Sequence, residues 1–175
     1  IYREIDGSPA CYQHARKCHQ FTHGEVACTN SHLAAIHTAF HAGHDAAVIA
    51  EDDIVPLHPR SIQDTLAEAR ALIPLAPTNW EILQLVTINQ AVVEQLSAVV
   101  DPFVQWRVDH YSTAAYVINR AGMRKLMTLH EGDDMRQSMV PLERRFLLRS
   151  SSLLADDLLY RSVRTYTATR MLFGI

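Results

Sequence analysis

The sequence predicts an α/β fold with a mostly parallel central sheet flanked by helices, in a single domain over residues 1–175. Three observations carry this. Short uncharged runs of small and β-branched residues have the character of buried strands. Amphipathic stretches with helix-capping signals alternate with them. The resulting helix, strand, helix, strand rhythm is that of a parallel α/β sheet.

Phe21 to Gly43 reads as the first helix. Thr22 and Glu25 have capping-box spacing, so Thr22 is the expected N-cap. Val26, Leu33, Ile36 and Phe40 recur at helical spacing on one face, and Gly43 supplies the stop. Ala46 to Ala50 then reads as a fully buried strand. Pro56 and Pro59 break the chain. Ser61 to Leu72 reads as a helix with Ile62, Leu66, Ala69 and Ile73 as its apolar stripe, ended by Pro74 and Pro77. Trp80 to Val86 is the next expected buried strand. Ile88 to Val100 fits either a helix or a loop with a short strand. Tyr111 to Asn119 is rich in β-formers, Ala121 to His130 reads as a short helix, and Leu153 to Val163 as another, with Leu154, Leu158 and Leu159 inward.

Composition narrows the function classes. A chain of 175 residues, 48% hydrophobic and 20% charged, can bury a sizeable core. Its net charge of -3 gives no electrostatic case for nucleic acid. No apolar run approaches the ~18 residues of a membrane span. The opening Ile1-Tyr2-Arg3-Glu4 is not a signal peptide and lacks an initiator Met. Cys11, Cys18 and Cys28 form no C-x-x-C pair, which argues against a disulfide framework or a cysteine zinc cluster. A reducing cytoplasm is the simpler expectation. Cys28, within a helical pattern, is read as a small buried hydrophobe.

The chemistry concentrates where the strand at Ala46 ends in Glu51-Asp52-Asp53. In open α/β sheets ligands bind at the carboxyl ends of strands. Three adjacent carboxylates repel one another unless a cation neutralises them. Their hard oxygens suit Mg2+ or Mn2+, ions that commonly hold substrate phosphates. The competing reading is a solvated acidic turn. In an extended chain Glu51 and Asp53 share one side and Asp52 takes the other. His37, His41 and His44 have zinc-compatible helical spacing, yet a solvated polar face is the better reading.

Three blocks, taken together, resemble glycosyltransferase family 25. Gly24-Glu25-Val26-Ala27-Cys28-Thr29-Asn30-Ser31-His32-Leu33 is similar to its G-E-[IV]-G-C-x-x-S-H-L block. Ala46 to Ile54 resembles A-x-[IV]-L-E-D-D-[IV]. Tyr111 to Gly122 resembles G-T-x-A-Y-[LV]-I-S-x-x-G-A. The blocks occur in the family's order, across roughly residues 5 to 160. Departures are Ala27 for Gly, Ala50 for Leu, Ser112 for Gly, Asn119 for Ser, and Met123 for a small residue; none removes a carboxylate. Family members begin with a further strand and a nucleotide loop. Ile5-Asp6-Gly7 resembles the segment after that unit, so the first strand is expected to be missing.

The resemblance implies a GT-A-like fold and metal-assisted, inverting transfer of a hexose. Galactose from a UDP-sugar is the implied donor group, and a lipooligosaccharide or other surface glycan the implied acceptor. It further implies Asp53 as metal ligand with Glu51. Glu51, Asp52, Ser31, His32 and Thr113 would contact the donor, and the cofactor would be Mn2+ or Mg2+. Asp156-Asp157-Leu158-Leu159 resembles a late D-x-x-L segment, which makes Asp156 or Asp157 the expected base. Asp109, His110 and Thr113 are secondary candidates for the acceptor side. Trp106 and the tyrosines are candidates for stacking on a sugar ring, but are more often core or rim residues. Arg144, Arg145 and Arg149 are read as a solvated basic loop. The alternative reading has them touch an anionic glycolipid or the cytoplasmic face of the inner membrane. Rival functions are a non-catalytic nucleotide- or glycan-binding domain of this fold and a metal-dependent phosphohydrolase. Oligomeric state is not fixed by the sequence.

Overall fold

The computed structural model describes residues 11–14, 17–20, 22–58, 61–131 and 154–175. A hairpin of β1 (Cys11–His14) and β2 (Lys17–Gln20) comes first. Then follow α1 (His23–His41), β3 (Ala46–Ala50), β4 (Val55–Pro56) and α2 (Ile62–Leu72). Next come β5 (Ile82–Gln84), α3 (Gln90–Ser97), β6 (Phe103–Gln105) and β7 (Ala115–Asn119). The chain closes with α4 (Arg120–Glu131), α5 (Ala155–Ser162), β8 (Thr165–Ala168) and β9 (Phe173–Gly174).

Local chemistry fixes the helix ends. Thr22 accepts from the Glu25 N–H, and the Glu25 side chain accepts from Thr22 N–H in return. Ser61 and Asp64 repeat this box on α2. Each such cap is worth about 1 kcal/mol. Gly43, at φ 83°, ends α1 in the left-handed conformation that glycine reaches without strain. Asn119 Oδ1 accepts from the Gly122 N–H at 2.9 Å and so caps α4. Asn serves there as Ser would.

The central sheet has the spatial order β3-β7-β5-β8-β6. The α/β class stands, but the expected mostly parallel sheet is mixed. β3, β5 and β8 point one way, as the helix–strand rhythm implies; β7 and β6 oppose them. β7 enters between β3 and β5 because Ala115 to Ile118 are buried on both faces, which favours a central position. β3 consequently lies at the sheet edge among the described residues. Its alanines offer little to bury, and only Ile49 is buried while Val48 is 40% exposed. The expected fully buried strand is thus a half-exposed one.

Strand alternation sends side chains to two cores. Ile82, Tyr116 and Ile118 meet Leu33 and Ile36 of α1, Met123 and Leu126 of α4, and Leu158, Leu159 and Tyr160 of α5. Leu83, Leu85, Ala115, Val117, Phe103 and Ala168 fill the opposite face, with Ala69 of α2. The stripe expected on α2 is displaced. Thr65 and Ala69 are buried, while Ile62 and Leu66 are exposed, because the small residues let the helix lie close. Ile88 to Val100 contains α3, whose Val92 and Leu96 pack on Met171. The strand expected from Tyr111 begins only at Ala115. Among the described residues, no helix is long and apolar enough to cross a membrane. Ile5-Asp6-Gly7 and Arg144, Arg145 and Arg149 lie outside the described residues.

Candidate functional site

The site forms at the carboxyl end of β3, beside the amino end of β7. Glu51 N–H donates to the Ala114 carbonyl at 2.8 Å, extending the β3–β7 ladder by one step. The chain turns immediately after, at Asp52 and Asp53. The period-2 expectation for Glu51 and Asp53 therefore ends at Glu51. Glu51 Oε1 accepts from Thr113 Oγ1 at 3.0 Å and lies 3.3 Å from His32 Nε2. His32 Nδ1 lies 3.2 Å from the Tyr116 hydroxyl. Helix α1 brings His32 here because its inward face is anchored by the neighbouring Leu33 and Ile36.

A second hydrogen-bond network holds the loop that delivers Thr113. The Gln84 amide donates to the Ser112 carbonyl at 2.9 Å and also to the His110 carbonyl. Tyr160 O–H donates to the same Ser112 carbonyl at 2.9 Å. Thr167 O–H donates to Gln84 Oε1 at 2.8 Å, so its oxygen accepts from His110 Nδ1–H at 2.9 Å. These bonds hold Ser112 at φ 145°, a conformation that favours glycine. Such strain costs on the order of 1–3 kcal/mol and persists only where the surroundings over-determine it. The resembled block carries Gly at this position.

Asp156, in the first turn of α5, completes the arrangement. Burial raises its carboxyl to about pH 6; Asp157 and Glu51 add to the rise, and a hydrogen bond from the Ser112 backbone opposes it. Its Oδ1 is buried and has no hydrogen-bond partner among the described residues. Asp157 is instead engaged by Arg161, with Oδ1 2.8 Å from Nε. Of the two acids, Asp156 is the one left available.

Burial also keeps the neighbours neutral. It lowers the His32 imidazole against the pull of Glu51. It raises the half-buried Cys28 thiol, with Glu51 and Asp156 adding to the rise and the Thr113 hydroxyl opposing it. The Tyr116 and Tyr160 phenols are held well above their ordinary range, chiefly by complete burial.

Of the residues singled out by sequence, His32, Glu51, Thr113 and Asp156 come together. Asp52 and Asp53 are exposed on the adjoining turn, outside the cluster. Two solvent-facing carboxylates fit Mg2+ or Mn2+, which take one or two protein carboxylates and complete their shells with water and phosphate oxygens. Ser31 is exposed and donates to the Ala27 carbonyl of its own helix at 2.9 Å. Asp109 pairs with Arg107 at 2.9 Å. Trp106 donates to the His110 carbonyl and packs edge-on against Tyr160. His37 is half-buried, and His41 and His44 are exposed; none belongs to the cluster.

Sequence reasoning missed Cys28 and Ser112 as site residues; Tyr116 and Tyr160, read only as sugar-stacking candidates or core, are buried and hydrogen-bond to His32 and to the Ser112 carbonyl. Cys28 stands four residues before His32, a spacing that puts both on one helix face. That signal was readable.

The family model described as glycosyltransferase family 25 (LPS biosynthesis protein) matches residues 4–135, which include α1, the acidic turn and β7. Asp156 and Asp157 lie beyond the match. No curated protein and no solved structure matches the chain. The matched residues span most of the sequence, and the chain belongs to glycosyltransferase family 25.

Proposed function

We propose that this chain moves a hexose, with galactose the first choice, from a UDP-sugar to a lipooligosaccharide or other surface-glycan acceptor, inverting the anomeric centre. The coarser part follows from the family, which implies a glycosyltransferase of LPS biosynthesis with a sugar donor and a glycan acceptor. The choice of donor and acceptor extends the family resemblance, and the inverting mechanism is supported by one observation: a sheltered carboxyl, Asp156, raised to about pH 6 and with an unpartnered oxygen.

An inverting transfer needs a base for the acceptor hydroxyl. Ionised Asp156 takes that proton as the acceptor oxygen attacks the anomeric carbon. The bond to the diphosphate breaks and its electron pair leaves with the nucleoside diphosphate. Ser112 N–H orients the Asp156 carboxylate. Glu51, held by His32 and Thr113, positions the donor. Asp53, with Asp52 beside it, would hold Mn2+ or Mg2+, which when bound offsets charge on the leaving diphosphate. The proposed location is the cytoplasm, at the inner face of the membrane that carries the acceptor.

The test is UDP release from UDP-galactose with Mn2+ and a galactose-trimmed lipooligosaccharide, followed from pH 4.5 to 8.5. Because Asp156 must be ionised, kcat/KM rises through about pH 6 and levels above it. A profile flat across pH 6, or one unchanged in Asp156→Asn, would remove Asp156 as the base.

A further inference from the structure

We propose that Cys28, His32 and Glu51 form a binding site for a borderline-soft divalent ion of the Zn2+ class, separate from the exposed acidic turn. One ligand atom from each of the three lies within 4.8 Å of the other two. Cys28 and His32 are one turn apart on α1, and Glu51 faces them from the end of β3. Thiolate, imidazole and carboxylate in a set of three is zinc chemistry, with a fourth tetrahedral position left for water. Bonds of 2.0–2.1 Å from such an ion to N and O put the two ligand atoms about 3.4 Å apart. His32 Nε2 and Glu51 Oε1 already stand 3.3 Å apart. Only the Cys28 side chain needs to close in.

The surroundings are prepared for either state. Without the ion, His32 Nε2–H donates to Glu51 and Nδ1 accepts from the Tyr116 hydroxyl. With the ion on Nε2, the proton moves to Nδ1 and donates to the same hydroxyl. A fixed outer partner of this kind orients a ligating histidine.

Charge balance points the same way. Glu51 and Asp156 both bear on Cys28, and among the described residues neither has an Arg or Lys ion-pair partner. A divalent ion supplies the missing positive charge. Its binding displaces the Cys28 thiol proton to solvent, so thiolate and metal form together.

Titration of the whole chain with Co2+ tests this without reference to transfer activity. The expected result is one equivalent bound, a thiolate-to-cobalt charge-transfer band in the near ultraviolet, and displacement of the band by Zn2+. Cys28→Ser removes the band although Cys11 and Cys18 remain, and Tyr116→Phe weakens binding about 10–100-fold. X-ray absorption of the Zn2+ form of the unaltered chain does not depend on any variant folding. It should show one sulfur near 2.3 Å and the remaining ligands N or O near 2.0–2.1 Å. Absence of the band, its survival in Cys28→Ser, or a shell without sulfur would overturn the proposal.

Discussion

Glu51 and Asp53 are two residues apart, yet they occupy different physical worlds. Glu51 receives Thr113 and His32 and is partly sheltered. Asp52 and Asp53 stand in solvent on a turn. The difference arises from one backbone bond, Glu51 N–H to the Ala114 carbonyl, which is the last rung before the chain turns. A run of like residues thus divides into a preorganised half and a solvated half. The preorganised half, together with Asp156, suits proton transfer and positioning. The solvated half suits a hard cation that arrives with its substrate.

The largest expected effects separate these halves. Asp156→Asn should lower kcat by roughly 10²–10⁴ while donor affinity holds, since a positioned base contributes on that scale. The same change should stabilise the fold. The Asp156 carboxyl is raised in the folded state, so its charge opposes folding above about pH 6. The penalty fades as pH falls from 6 and vanishes below the unfolded value near 3.8. Asn removes a penalty on the order of 1–3 kcal/mol at pH 8. Thermal unfolding at pH 8 and pH 4 should therefore show a gain at the first and little at the second. An equal gain at both would mean that packing, not charge, is responsible.

Asp53→Asn should abolish metal-dependent transfer and leave the melting temperature unchanged, because an exposed turn carboxylate holds nothing in the fold. Transfer that persists with Mn2+ would take the metal role away from Asp53.

Gly122→Ala probes the scaffold beneath the site. A Cβ there would meet the Glu81 carbonyl oxygen at 2.8 Å. That oxygen also accepts from Asn119 N–H at 3.0 Å, so it has little freedom to retreat. The variant should lose about 1–3 kcal/mol in denaturant unfolding, despite Ala being the better helix former. The smallest effect is reserved for His37→Ala, on the helix face away from Glu51. Stability and bound zinc should both stay within error of the unaltered chain, with stability within about 0.5 kcal/mol. Lost zinc in that variant would move the metal site proposed at Cys28 to the wrong face of α1.

What the sequence revealed follows the range of the forces involved. The Thr22–Glu25 capping box, Gly43 as a stop and the inward Leu33, Ile36, Leu158 and Leu159 were legible because they depend on spacing within a few residues. The direction of β3 and β5 was legible from the intervening helix. The insertion of β7 between them was not, because strand order is decided by which distant segments bury most. The Glu51–His32–Thr113 contact was foreshadowed only through the family blocks. The network through Ser112, Gln84, Tyr160 and Thr167 joins four separate segments and leaves no local pattern.

The most direct measurement is a calorimetric titration of UDP-galactose, with and without Mn2+, on the unaltered chain, Asp53→Asn and Asp156→Asn. Division of labour between the two halves predicts Mn2+-dependent binding that vanishes in Asp53→Asn and persists in Asp156→Asn. Binding that survives in Asp53→Asn, or fails in Asp156→Asn, would contradict it.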